Sequence, residues 1–286
     1  MSVVTLRSEP ITLAPPPLPR LERGNGAAEI VFKRRGEATV LARLAQQTPC
    51  RVLFPAGEPG DPPLAVLLTT SGGLTGGDAL RLAVGVEPGA AACVTTQAAE
   101  KIYRSLGPDV RIDVDLSVGA GASLEYLPQE TILFDGARLA RRNAADIAPG
   151  GRLLAAEMLV FGRAARGEVL RHGRVFERWC VRRAGKLVWA DALSLDGDIA
   201  ARLGDPFAFA GARALATLFY VGEAAEKLLP RARELADGAA TLVRGVLIAR
   251  LFGPLVHELR ERLVRLIAGL RRAIGLPGAL PRLWQS

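Results

Sequence analysis

A rhythm of about thirty residues constrains this chain more than any other feature. Val84-Gly85-Val86-Glu87-Pro88-Gly89-Ala90-Ala91-Ala92-Cys93-Val94-Thr95 returns as Val114-Asp115-Leu116-Ser117-Val118-Gly119-Ala120-Gly121-Ala122-Ser123-Leu124-Glu125. A weaker third copy begins at Ala145-Asp146-Ile147 and ends at Glu157. The turn glycines Gly89, Gly119 and Gly150 are spaced by 30 and 31 residues. Self-similarity at such a period marks stacked supersecondary units. Each unit here is a short alternating strand, a glycine turn and a second short strand. One such unit cannot bury its apolar face alone, but stacked neighbours bury it together. The expected fold class is mainly β, a stacked, solenoid-like set of sheets.

The pattern is strand-like from Ala27 to about Asp205, as in the alternation Arg111-Ile112-Asp113-Val114-Asp115-Leu116. Gly, Pro and Asp punctuate it. Val175–Trp179 and Lys186–Trp189 read as a further hairpin about Gly185. Before it, residues 1–25 hold Pro15-Pro16-Pro17 and are expected to form an extended, mobile leader. The last third changes character. Glu223 to Ala236 is a helix candidate interrupted near Pro230, and Ala240 to Leu251 is apolar enough for a buried strand. A stronger helix follows Gly253-Pro254, with Leu255, Leu259, Leu263, Leu266 and Leu270 at three- and four-residue steps. Arg260, Arg262, Arg265 and Arg271 fall on its other faces. The reading is one domain over 26–286: a β-rich stack over 27–205, then mixed strand and helix over 206–286, including a small C-terminal helical portion.

The net charge is +8, yet nucleic-acid binding does not follow. The basic residues are nearly all arginines scattered among acids, and aromatics are only 5%, too few for a base-stacking platform. Three separated cysteines and no Cys-x-x-Cys spacing argue against a disulfide framework or a zinc site. No signal segment and no apolar run of membrane-spanning length is evident. The expectation is a cytoplasmic protein without a membrane or nucleic-acid partner.

Four polar stretches are candidates for chemistry. In Ser71-Gly72-Gly73-Leu74-Thr75-Gly76-Gly77-Asp78 the glycine gap resembles a phosphate loop. Asp78 stands where such a loop needs lysine, so it would repel phosphate. Its glycines point instead to a sharply bent or closely approached backbone. Thr95-Thr96-Gln97 with Lys101-Ile102-Tyr103-Arg104-Ser105 ends the first repeat, Gln129-Glu130 the second, and Gly162-Arg163 through Gly167-Glu168 the third. Stacking would bring Gln97, Gln129, Glu130, Arg163 and Glu168 together, either as a site or as hydrogen bonding between rungs. His172 and His257 have no metal-ligand or nucleophile spacing, and Glu125, Glu130 and Asp135 are carboxylates without a specifying pattern.

In this order and spacing, the segments Ser71–Asp78, Thr95–Ser105, Leu124-Glu125-Tyr126-Leu127-Pro128-Gln129-Glu130-Thr131-Ile132, Gly162–Glu168 and Pro281-Arg282-Leu283-Trp284 resemble the urease accessory protein D family (UreD, called UreH in some organisms). The likeness runs from about Ala27 to Trp284. It implies a non-enzymatic maturation factor with a β-helical fold. Such a factor docks on apo-urease and on accessory protein F, which recruits the GTPase accessory protein G. Together they deliver nickel to the urease active site, with an internal tunnel as the proposed route. No cofactor would be permanently bound, and nickel(II) would be transient. Since imidazole and thiolate ligands are scarce, a route would rest on carboxylates, carbonyls and water. Asp78, Glu130, Glu157 and Glu168 are the candidates for it. Leu255, Leu259, Leu263, Arg282 and Trp284 are candidates for the accessory protein F interface. Two alternatives stand beside this reading: a hydrolase on a β-solenoid using Glu125 or Glu130, and a structural scaffold without a metal role.

Overall fold

The strand–turn–strand units stack as a β-solenoid in the computed structural model, which describes residues 22–284. The proline-rich leader therefore falls, up to residue 21, outside the described residues. The first turn opens with β1 (Asn25–Arg35), doubles back as β2 (Ala38–Gln47) and continues through β3 (Cys50–Leu53) to β4 (Leu64–Thr69). The second turn is β5 (Ala79–Val86), β6 (Ala91–Thr96) and the short β7 (Glu100–Ile102). The third is β8 (Val110–Val118), β9 (Ser123–Leu127) and β10 (Thr131–Leu133), and the fourth is β11 (Arg138–Ile147) and β12 (Arg152–Phe161). The hairpin of β13 (His172–Arg183) and β14 (Lys186–Asp198) and a short helix, α1 (Ile199–Gly204), follow. The rest is β15 (Ala214–Val221), β16 (Ala240–Val243) and β17 (Val246–Gly253), with helices α2 (Ala225–Leu235) and α3 (Val256–Ala273).

These strands form two sheets. One has the order β14-β13-β11-β8-β5-β1-β2, the other β16-β17-β15-β12-β9-β6-β4-β3, with β10 joining β12 to β7 at its side. Stacking is in register: Ile30, Val84, Leu116, Ala145 and Val181 occupy one inward row across five strands. None of the five is more than 2% exposed. The parallel neighbours are long-range in sequence, so the apolar row is what fixes their register.

Three layers result. The first sheet faces water on one side, and β8 alternates buried and exposed positions accordingly. The second sheet is covered on both faces, by the first sheet and by α2 and α3, so every residue of β15 is buried. A continuous apolar run in place of alternation is the sequence signature of that double burial. The C-terminal strands thus complete the second sheet of the stack. The apolar stretch from Ala240 to Leu251 is a hairpin, not one strand, because Arg244 and Gly245 both take positive φ. Helix α2 continues through Pro230 instead of breaking there.

The repeat itself needs one correction. Pairing sets Val86 beside Val118 and Ala91 beside Ser123, and Ser123 beside Arg152. The residue equivalent to Gly89 and Gly150 is therefore Gly121, not Gly119. All three adopt left-handed φ, +69°, +64° and +73°. Gly119 lies in the same corner for a different reason: a Cβ there would sit 2.6 Å from the Pro88 nitrogen.

Candidate functional site: a polar interior along the stack

Inward rows of the two sheets enclose mostly aliphatic side chains, with one polar interruption. On the first sheet the row Leu80, Ile112, Arg141, Glu177 passes from β5 to β13, beside the row Leu82, Val114, Asn143, Trp179. Facing them, Glu100, Thr131 and Leu159 stand side by side on β7, β10 and β12. Glu157, on β12, has its carboxylate 2.7 Å from Trp179 Nε1, which donates to it. Arg141 Nε donates to Glu177 Oε1 at 2.5 Å, and its Nη1 donates to Thr131 Oγ1 at 2.9 Å. Asn143 Nδ2 donates more weakly to Glu177 at 3.4 Å. Among the described residues, Arg141 Nη2 has no hydrogen-bond partner, and Glu177 Oε2 has no nitrogen or hydroxyl donor.

The electrostatics follow from burial and pairing. Burial pushes the Glu157 carboxyl well above the usual carboxylate range, and the Glu177 charge pushes the same way. Burial would also raise Glu177, but Arg141 outweighs it and holds that carboxyl below its ordinary value. The two carboxyls are thus driven apart, Glu157 upward and Glu177 downward. Tyr126, buried in the same interior, has its phenol pushed up to about 12, chiefly by burial. Glu100 is likewise raised by burial, with Lys101 N–H and the Thr69 hydroxyl offsetting part of it.

Two cavities reach this interior. One, of about 190 Å³, is bounded by Cys50, Thr69, Ser71, Leu80, Leu82 and Glu100. The other, of about 170 Å³, is bounded by Glu157, Glu177, Trp179, Thr217, Asp191 and Arg250. An ion pair between Arg250 and Asp191 spans the two sheets at the second cavity. Carboxylates in a confined, partly apolar space can replace some of the water around a passing cation. With no imidazole beside them, and only the Cys50 thiol, held protonated by burial, at the first cavity, they would hold it loosely.

Of the four acids singled out in the sequence, Glu157 reaches this interior. Asp78 does not: its two oxygens accept the Gly24 and Thr75 N–H groups, both at 2.8 Å, and so close the glycine-rich loop. Glu130 pairs with Arg260 of α3 at 3.0 Å. Glu168 pairs with Arg163 and accepts the Asp135 N–H. The expected gathering of rung ends is therefore divided, with Gln129 and Glu130 under α3 and Arg163 and Glu168 at a separate corner. Gln97 contributes its N–H to Leu67 O. The motif residues serve the stacking. Thr95 donates to Leu127 O at 2.5 Å, and Thr96 accepts the Gln129 N–H at 2.8 Å. Tyr103 donates to Gly72 O at 2.7 Å, and the Thr75 hydroxyl to Arg104 O at 3.1 Å. Lys101 O accepts the Leu74 N–H.

The glycines of these motifs are close approaches, as their density suggested. A Cβ on Gly76 would stand 1.9 Å from Ser105 Oγ, and one on Gly73 2.8 Å from Lys101 O. Gly72 supplies the carbonyl for Tyr103, and Gly77, Gly162 and Gly167 take positive φ.

Sequence reasoning missed Glu177, Arg141 and Glu100. Nothing local flags them; the only available signal was a charged residue at an inward position of an alternating strand. The C-terminal candidates also divide. Leu259 and Leu263 are at most 1% exposed and pack on the second sheet, and Trp284 is 4% exposed. Its Nε1 donates to Thr95 Oγ1 and Leu127 O at 3.1 Å, and Arg260 covers its ring. Leu255 and Arg282 remain exposed. Arg271 does not fall on an outer face. It is fully buried, paired with Glu125 at 2.9 Å and Asp61 at 2.7 Å. Glu125 is thereby neutralised under α3, and Glu130 by Arg260, so the two carboxylates of the hydrolase alternative are spent on ion pairs.

Fold and site together define a β-solenoid scaffold with a carboxylate-bearing interior. Among the described residues no group of three or more His, Cys, Asp and Glu side chains is placed to hold a metal ion. The model of the UreD urease accessory protein family matches residues 24–285. A urease accessory protein UreD from Magnetococcus marinus is 44% identical over 269 residues, covering 91% of this chain and 93% of the relative. One from Methylobacterium sp. (strain 4-46) is 43% identical over 282 residues, covering 95% and 98%. One from Paracoccus denitrificans is 40% identical over 271 residues, covering 93% and 94%. The chain belongs to the UreD urease accessory protein family. It is accordingly an accessory protein of urease maturation and not an enzyme.

Proposed function

We propose that this chain is a urease maturation scaffold that docks on apo-urease with accessory proteins F and G and gives nickel a passage to the urease active site. Nickel is cargo in this reading, transient and never resident. The carrying observation is the Glu157–Glu177 pair at the edge of a cavity inside the solenoid, Glu177 buried and Glu157 half-buried. Arg141 already pairs Glu177, so what the reading takes from this pair is a set of carboxylate oxygens that a cation can use once the Glu157 proton and the guanidinium give way. Weak, successive oxygen sites suit an ion that must leave as readily as it enters. Glu100 and Glu177 join Glu157 as candidate waypoints. Asp78, Glu130 and Glu168 are assigned to holding the loop, the helix and the corner that they bind. Leu255 and Arg282 remain the outward-facing candidates for contact with accessory protein F. The reading takes 26–286 as one domain and the cytoplasm as its location. Among the described residues no helix is long and apolar enough to cross a membrane.

The test is the amide pair Glu157→Gln and Glu177→Gln, each keeping shape and removing charge. Both should still be recovered with urease and the accessory proteins, while the nickel content of matured urease falls. Normal nickel content in both variants would remove the interior as the route and leave the scaffold role standing.

A further inference from the structure

The two interior cavities lie toward opposite ends of the stack, and one layer of side chains stands between them. Leu80, Leu82 and Glu100 line the first cavity, while Glu177, Trp179 and Leu159 line the second. Each of the first three begins an inward row that ends at one of the second three. The separating layer is therefore Ile112 and Val114, then Arg141 and Asn143, with Thr131 facing them. Arg141 is the charged member of that layer. Its guanidinium crosses the interior from the first sheet to Thr131 on the opposite wall, and the same group holds Glu177 on the neighbouring strand. Glu100 is next to Thr131 on one side, and Leu159, two residues beyond Glu157 on its strand, is next to it on the other.

We propose that Arg141 is a resident cationic plug: its guanidinium closes the polar axis between the two cavities and must swing off Thr131 and Glu177 before a divalent cation can pass. The proposal rests on the reading of the interior as a cation passage. Three observations favour a movable group over a fixed ion pair. Arg141 Nη2 lacks a partner despite its burial, so the seated orientation leaves one donor unsatisfied. Asn143 Nδ2 already reaches Glu177, so that carboxylate keeps a donor when the guanidinium leaves. Open space begins on one side at Glu177, its own partner, and on the other at Leu80, Leu82 and Glu100, beyond the Ile112 and Val114 row. A fixed positive charge on the axis also excludes cations in the seated state, since like charges brought together without water repel strongly. The passage is then closed in the isolated chain and opens when the side chain is displaced.

The experiment compares nickel(II) chloride binding to the isolated full-length chain by equilibrium dialysis. Arg141→Gln keeps hydrogen-bonding capacity and removes the charge. It should gain a nickel site at least roughly tenfold tighter than any in the unaltered chain. Adding Glu177→Gln to it should abolish the gain. Equal binding by folded Arg141→Gln and the unaltered chain, or a gain that survives Glu177→Gln, would overturn the plug. If Arg141→Gln does not fold, the double variant Arg141→Leu/Glu177→Leu decides. Apolar replacement of a buried pair is commonly tolerated. Such a chain should assemble with its partners and leave urease with more nickel than Glu177→Gln does, since the guanidinium still closes the passage there; equal nickel in the two would overturn the plug as well. The wider reading fails separately, through Glu157→Gln and Glu177→Gln alone.

Discussion

Removing Arg271 is the sharpest test of how the helical layer is fastened to the solenoid. Its guanidinium joins three parts of the chain: Glu125 on β9, Asp61 in the β3–β4 loop and the Ala279 carbonyl beyond α3. The Arg271 and Glu125 side chains are each 1% exposed. Arg271→Met keeps an unbranched side chain of similar reach and leaves Glu125 buried without its partner. Breaking such a pair costs about 3–5 kcal/mol. At roughly 2–4 °C per kcal/mol for a chain near this size, the melting temperature should fall by about 6–20 °C. The loss should depend on pH. Burial already raises the Glu125 carboxyl above its ordinary value, against the opposing pull of Arg271. Without Arg271 that carboxyl rises further. A raised folded-state value means the folded chain binds more protons than the unfolded one, so stability falls as pH rises through that window. The deficit of Arg271→Met should therefore be larger at pH 8 than at pH 5. Adding Glu125→Leu, which removes the orphaned charge, should recover most of it. Thermal unfolding of the three variants at both pH values gives the answer. A single variant melting within about 2 °C of the unaltered chain at pH 8 would refute the argument.

Two further outcomes are expected. Deleting residues 276–286 removes Leu280 and Trp284 from the core under α3, so the urea midpoint should drop by the equivalent of about 3–5 kcal/mol, and an unchanged midpoint would show the tail to be peripheral. The Cys50 thiol is pushed up to about 11 by burial and then by Glu100, so its iodoacetamide labelling in the folded chain should be slow at pH 8 and rise about tenfold per pH unit below pH 11, whereas prompt labelling at pH 8 would contradict its burial.

The architecture was legible where one physical rule acts locally. Alternation in Arg111–Leu116 reports one wet and one dry face, and a glycine turn can be recognised without knowing its neighbours. The helix after Pro254 was legible for the same reason: its leucine stripe follows the helical period. Register was not. The corner holds two glycines, Gly119 and Gly121, and the sequence alone cannot say which one takes the left-handed turn and which avoids Pro88. Only the pairing of Val86 with Val118 decides.

The site shows the same division more strongly. Family-like motifs directed attention to Asp78, Glu130 and Glu168, because acids inside a recognisable motif stand out in a string of letters. Their carboxylates hold Gly24 and Thr75, Arg260 and Arg163. Glu177 and Arg141 lie in ordinary strand text, 36 residues apart, and meet at 2.5 Å because β11 and β13 are parallel neighbours in register. Arg271 looked like one of several surface arginines on α3 and is instead fully buried. What the sequence by itself determined was the repeating unit, the apolar faces and the family, since each is written in short-range pattern or in order along the chain. Which charged side chains face inward, and whom they meet, was decided only by the stacking. A charge is tolerated in a core when another chain segment supplies its partner, and no local pattern names that segment.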